Sequence, residues 1–203
     1  TRTIDGSLVI GVADATAALP GSLISTNFLV FDGSNTTGGT TKDLTISNSG
    51  ITAQKSLIRI FGNSDNIIIK NCILTSSTTS TSTNAAINVT NYYNLTAFYN
   101  PDNLIIQNNQ ISSSSTSSAF SGIHISNSTA VTTPSTNPTV GATNMTIKDN
   151  TISANLRGVF CSYTNDANIS NNTISVVSTG TTTNITAYGI TLQSNFSTSG
   201  IFN

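Results

Sequence analysis

The phrase NMTIKDNTIS, beginning at Asn144, returns as NISNNTIS, beginning at Asn168, and a chain that repeats a strand-sized phrase around paired Asn residues has few folds open to it. Five segments share one template: LTISNSGI from Leu44, IIIKNCIL from Ile67, LIIQNNQI from Leu104, MTIKDNTI from Met145 and ANISNNTI from Ala167. Their first apolar column is Leu44, Ile67, Leu104, Met145 and Ala167, and their second is Ile46, Ile69, Ile106, Ile147 and Ile169. Two residues apart, these columns share one face of a strand. The third column, Ile51, Leu74, Ile111, Ile152 and Ile174, falls on the wrong face of a straight strand, so a bend must intervene. Asn48, Asn71, Asn108, Asp149 and Asn171 mark that bend, with Asn109, Asn150 and Asn172 following it. Asn and Asp tolerate the left-handed conformation and bond their own backbone, which suits a corner that recurs in every turn.

A second strand follows each corner: LIRI at Leu57, AINV at Ala86, GIHI at Gly122, GVFC at Gly158 and GITL at Gly189. Alternation turns Ile58, Ile87, Ile123, Val159 and Ile190 to one side, joined two residues later by Ile60, Val89, Ile125, Cys161 and Leu192. Upstream, NFLVFDGS at Asn27 is expected to add an earlier rung through Phe28 and Val30. Strands stacked about 4.8 Å apart bury an apolar column that no single coil could bury alone. The excess between repeats leaves as Ser/Thr-rich loops near Thr75, Ser112 and Asn127, and Pro134 and Pro138 mark the last as an excursion because proline cannot donate to a ladder. The fold class is therefore all-β, a single-stranded right-handed parallel β-helix with an asparagine ladder, expected to form one domain over residues 1–203 within a longer chain.

Charge narrows the function classes. Seven Lys and Arg face eight acidic residues, all Asp, and the scattered cations provide no cluster for nucleic acid or an anionic membrane. No apolar run approaches the roughly 18 residues of a membrane-spanning helix. Two cysteines, Cys72 and Cys161, do not make a disulfide framework, and their stacking distance predicts no bridge between them. Composition and repetition point to a secreted or cell-surface location.

With these columns in view, the chain resembles the right-handed parallel β-helix repeat proteins of the pectate-lyase-like superfold. More narrowly, FDGSNTTGGTTKDLTI from Phe31 followed by NIIIKNCIL is similar to β-helix regions of large secreted surface proteins of Bacteroidota and related bacteria, often exported by the type IX system. The resemblance implies a noncatalytic structural or adhesive module of a surface protein or filament, with surface glycans or neighbouring copies as partners. Its alternative implication is a polysaccharide lyase, a glycoside hydrolase or a carbohydrate-binding module.

Candidate chemistry is thin, and no catalytic, cofactor-binding or metal residue is assigned. Lys70 and Lys148 share an outward column with Gln107 between them and stand two rungs apart, as a solvated face would place them. A hydrolase needs two facing carboxyl groups. No outward column concentrates the acids; Asp43, Asp65 and Asp102 precede or nearly precede strands and Asp149 occupies the corner, which fits local backbone bonding. His124, the only histidine, points outward between Ile123 and Ile125. The loop DGSNTTGG at Asp32 offers oxygens for Ca²⁺ but few acids. Tyr92, Tyr93, Phe98 and Tyr99 gather in NYYNLTAFYN, the best sugar-stacking candidate by sequence. Thr45, Thr146 and Thr191 do not repeat on intervening rungs, which weakens an ice-binding reading. Sequons such as that at Asn171 arise at the frequency this composition gives by chance, and Asn171 is expected to be packed in the corner.

Overall fold

The computed structural model describes residues 2–11, 26–48, 56–76, 84–90, 92–93, 98–113, 120–126, 142–177, 186–193 and 201–202. The first coil is β1 (Arg2–Asp5), β2 (Leu8–Ile10) and β3 (Val30–Asp32), and the second is β4 (Leu44–Ser47), β5 (Ser56–Phe61) and β6 (Ile68–Lys70). In the third, β7 (Cys72–Ser76) and β8 (Asn84–Thr90) precede an antiparallel pair, β9 (Tyr92–Tyr93) with β10 (Phe98–Tyr99), and then β11 (Ile105–Gln107). The fourth is β12 (Gln110–Ser113), β13 (Phe120–Ser126) and β14 (Ala142–Lys148), and the fifth is β15 (Thr151–Ala154), β16 (Arg157–Ser162) and β17 (Thr164–Ser170). The sixth is β18 (Thr173–Val176), β19 (Tyr188–Gln193) and β20 (Ile201–Phe202). Each strand pairs in parallel with its counterpart one coil on, giving three six-stranded sheets. We name them A (β1, β4, β7, β12, β15, β18), B (β2, β5, β8, β13, β16, β19) and C (β3, β6, β11, β14, β17, β20). The chain is a right-handed parallel β-helix.

The repeat columns are the core. In sheet C, Ile69, Ile106, Ile147 and Ile169 stand in one register and are essentially buried. After the corner, Leu74, Ile111 and Ile152 close the same interior from sheet A, with Ile174 packed against it. Sheet B supplies Ile58, Ile87, Ile123 and Val159. The bend between C and A is made by Asn71, Asn108, Asp149 and Asn171, each at positive φ. The next column is the internal ladder. Asn150 Oδ1 accepts the Asn109 N–H (3.0 Å) and amide (3.1 Å), while Asn150 Nδ2 donates to Ile106 O (2.9 Å) and Asn172 Oδ1 (2.9 Å). Cys72 occupies the same column, its N–H donating to Asn109 Oδ1 (3.0 Å).

Two assignments from the sequence are corrected. Leu44–Ser47 pairs with Cys72–Thr75, so Ile46 stacks on Leu74 in sheet A and not beneath Ile69 in sheet C. That segment follows its corner instead of preceding it, and Asn48 is a buried residue at the end of β4, outside the left-handed column. Ile51 lies outside the described residues, as do loops 77–83, 114–119 and 127–141. The true forerunner of Ile69 is Phe31. Phe31 and Leu29 pack against the core, whereas Phe28 is 80% and Val30 54% exposed.

Phe28 also shows where a repeat has lapsed. Its φ of 60° places it in the left-handed column that begins sheet C, whose other members are Asn66, Asn103, Asn144 and Asp166. The backbone bond of Phe28 N to Asp65 O repeats in Asn66 N to Asp102 O and Asn103 N to Thr143 O. A side chain with a Cβ strains this conformation by about 1–2 kcal/mol, and Asn bears it best. Phe28→Asn is therefore expected to stabilise the chain by about 1 kcal/mol, measured by urea denaturation.

In sheet B the rank Leu57, Ala86, Gly122, Gly158 and Gly189 is skipped by the pairing register. Leu57 and Ala86 are fully buried, so this rank turns inward instead of alternating outward. A Cβ on Gly122 would strike Ile152 Cγ2 and approach Gly158 O to 2.7 Å. Ile152 already fills the room a side chain would need. Gly122→Ala should cost about 1–2 kcal/mol by overpacking, visible as a lower denaturation midpoint with unchanged slope.

Candidate functional site

Where other coils turn from sheet C to sheet A in a single bend, the first makes an excursion between Gly33 and Asp43. Gly33 N donates to Lys70 O (2.9 Å) as Asn71 N does to Gln107 O (3.3 Å), so Gly33 stands in the corner position and the loop departs from there. The loop then runs across the corners of the next coils. Asn71 Nδ2 donates to Gly39 O (3.1 Å) and Asn108 Nδ2 to Thr40 O (3.0 Å). Lys42 Nζ reaches Asn108 Oδ1 (2.8 Å), Asn108 Nδ2 also donates to Asn71 Oδ1 (2.7 Å), and Asn71 Nδ2 to Asp32 Oδ1 (2.7 Å). The chain of polar contacts ends in the Asp32–Lys70 ion pair at 3.0 Å.

Between this strap and the outward rank of sheet C lies a cleft of about 580 Å³, lined by Lys42, Lys70, Gln107, Asn108 and Asp149 with residues 38–40. The rank runs Asp32, Lys70, Gln107, Lys148 in register, confirming two rungs between the lysines. Lys148 stands beyond the cleft and Lys42 joins it instead. Nothing in the repeat pattern signals Lys42, because its position depends on the path of the strap.

The loop carboxylates are committed to donors. Burial pushes Asp32 upward, yet the Ser34 N–H, the Asn71 amide and the Lys70 ammonium together hold it below its ordinary value. The Thr41 hydroxyl and the Asn35 N–H do the same for Asp43. Both acids hold the loop to its own fold: Asp32 accepts the Ser34 N–H and the Asn71 amide, and Asp43 the Asn35 N–H and the Thr41 hydroxyl. Among the described residues no group of three metal-ligating side chains gathers.

Asp65 and Asp102 stand on adjacent coils and form a second ladder. Asp65 Oδ1 accepts the Asp102 N–H (3.0 Å), and Asp102 Oδ1 accepts the Thr143 N–H (2.6 Å) and hydroxyl (3.0 Å). Burial raises the Asp102 carboxyl above its ordinary value, the Thr143 bonds opposing and the Asp65 charge reinforcing the shift. A raised acid beside a second carboxylate is also how a glycosidase is built. Here both carboxylates are turned to backbone groups of the next coil. They tie one coil to the next, whereas their sequence position suggests bonds to their own local backbone.

His124 points outward on sheet B but is packed rather than scattered. Its ring stacks on Phe160 of the next coil with centroids 4.6 Å apart, and the Arg157 guanidinium carbon lies 4.6 Å from the centre of that same Phe160 ring. Burial, with Arg157 adding, lowers His124 to about 4, so it is neutral at pH 7. Cys72 and Cys161 are both free and buried, and burial pushes each thiol up to about 12, Asp32 adding at Cys72.

Other sequence candidates separate. Thr45, Thr146 and Thr191 belong to sheets A, C and B, and the rank of Thr45 runs Thr3, Thr45, Ile73, Gln110, Thr151, Thr173, broken at two rungs. Asn171 is exposed, not packed, since the buried corner column is the one after it. The side chains of Tyr92, Tyr93, Phe98 and Tyr99 lie outside the described residues. Comparison with family models, curated proteins and solved structures returns no match to this chain.

Proposed function

We propose that the chain is a noncatalytic extracellular module, structural or adhesive, in a cell-surface protein or filament. The observation that carries this reading is how the adjacent-coil carboxylates are spent: Asp65 and Asp102 cap backbone N–H groups of the following coil. His124 is neutral and stacked, so it too serves the body of the solenoid. Surface glycans and neighbouring copies are the partners this reading calls on. Ile190 and Leu192, inward-column residues of the sixth coil, are each 41% exposed, and a further coil, from this or another chain, would cover them.

The test is incubation of the purified chain with a panel of neutral and acidic polysaccharides, assayed for new reducing ends and unsaturated products. No turnover is expected. Depolymerisation that disappears in Asp102→Asn or Lys70→Ala would overturn the proposal in favour of a carbohydrate-active enzyme.

A further inference from the structure

We infer that the cleft beneath the 33–43 strap binds a polyhydroxylated ligand, a saccharide, through hydrogen bonds alone. The inference rests on the adhesive form of the proposed function and gives it a site. Lys42 and Lys70 each spend one ammonium proton inside the protein, on Asn108 Oδ1 and on Asp32, and keep two for a ligand. One rung on from Lys70 in the same rank stands the Gln107 carbonyl, an acceptor, and beside it the exposed Asp149 carboxylate is another. The Gln107 amide meets Asp149 Oδ2 at only 3.4 Å, a long bond that a better partner displaces easily.

This mixture of charged donors and acceptors selects among ligand chemistries. An oxoanion could use the ammonium groups but would face the Asp149 carboxylate. A cation would meet two lysines. A sugar hydroxyl donates and accepts at once, so vicinal hydroxyls satisfy both sides without an unpaired charge. The volume of about 580 Å³ lies within the range of small-molecule sites. Asn71, 3% exposed, and Asn108 fix the strap at Gly39 O and Thr40 O, so the cleft does not have to be ordered on binding. Aromatic side chains are missing from the lining, so hydroxyl configuration and not ring stacking would set preference, with affinity on the order of millimolar.

The experiment is ¹H–¹⁵N NMR of the whole chain titrated separately with galactose, mannose, N-acetylglucosamine and sodium sulfate, repeated in Gln107→Ala and Asp149→Asn. At least one sugar should shift the backbone amides of Gly38, Gly39 and Thr40, and each variant should weaken it about fivefold, the loss of one hydrogen bond. Both side chains are partly or fully exposed, and unchanged circular dichroism would exclude misfolding of the variants. Sulfate acting on those amides in place of sugars, sugar shifts indifferent to both variants, or silence from all three sugars would each overturn the site. Failure here leaves the noncatalytic reading standing, whereas cleavage of polysaccharide would remove that reading and not the cleft.

Discussion

Asn150→Ala is expected to destabilise the chain by about 3–5 kcal/mol, because one buried side chain completes hydrogen bonds on three coils. Its Oδ1 takes both the backbone N–H and the amide of Asn109, and its Nδ2 serves Ile106 O and Asn172 Oδ1. The site is 1% exposed, so water does not replace what is lost. Removing it strands the Asn109 N–H at about 1–3 kcal/mol, takes a second donor from the Ile106 carbonyl and the amide partner from Asn172, and leaves a small void as well. The neighbouring corner provides the control. Asn171 is exposed at positive φ, where glycine is sterically at ease, so Asn171→Gly should cost less than about 1 kcal/mol. Urea denaturation followed by circular dichroism measures both. Equal losses at the two positions would mean that bend conformation, and not the internal ladder, carries the stability of the corner.

The ladder was legible because its repeat is short and chemically unusual. Ile69, Ile106, Ile147 and Ile169 fall into register wherever the same Asn corner follows, and Cys72 takes its place in the ladder column by the same spacing. Leu44–Ser47 was misplaced because ISN recurs there without the corner: the 33–43 excursion had already made the turn from sheet C to sheet A. Phe28 and Val30 were misplaced for a different reason. In FLVF both alternating sets are apolar, so period two cannot choose the inward face, and only the pairing of Phe31 with Ile69 sets the phase. The inward rank at Gly122 and Gly158 escapes alternation altogether, since the pairing register of sheet B skips it while Ile123 and Val159 beside it are buried as well. The cleft escaped because Lys42 reaches Asn108 across two coils through a strap whose route is fixed by side-chain amides, which no sequence period encodes.

Between about pH 6.5 and 4 the chain is expected to lose on the order of 2–3 kcal/mol of stability through His124. The folded-state value of about 4 lies below the ordinary 6.5, so the unfolded chain binds the proton first. The contribution is therefore complete above 6.5 and is lost as pH falls toward 4. Its cause is local: the ring is packed on Phe160, and a charged imidazole would be desolvated there and face the Arg157 guanidinium. Asp102 works in the opposite sense. Its raised folded value means that protonation favours the folded chain as pH drops toward the ordinary carboxylate value of 3.8, which offsets the lower end of the His124 slope. Asp32 and Asp43, held below 3.8, weaken the fold only at more acid pH. His124→Asn should accordingly flatten the 6.5–4 window, while Asp102→Asn should raise stability at pH 7 and steepen the remaining acid slope by removing the compensating group. Denaturation midpoints across that window separate the two. A His124→Asn profile parallel to that of the unaltered chain would show that the ring opens to water before it titrates, and the stacked neutral histidine would no longer explain the packing of sheet B.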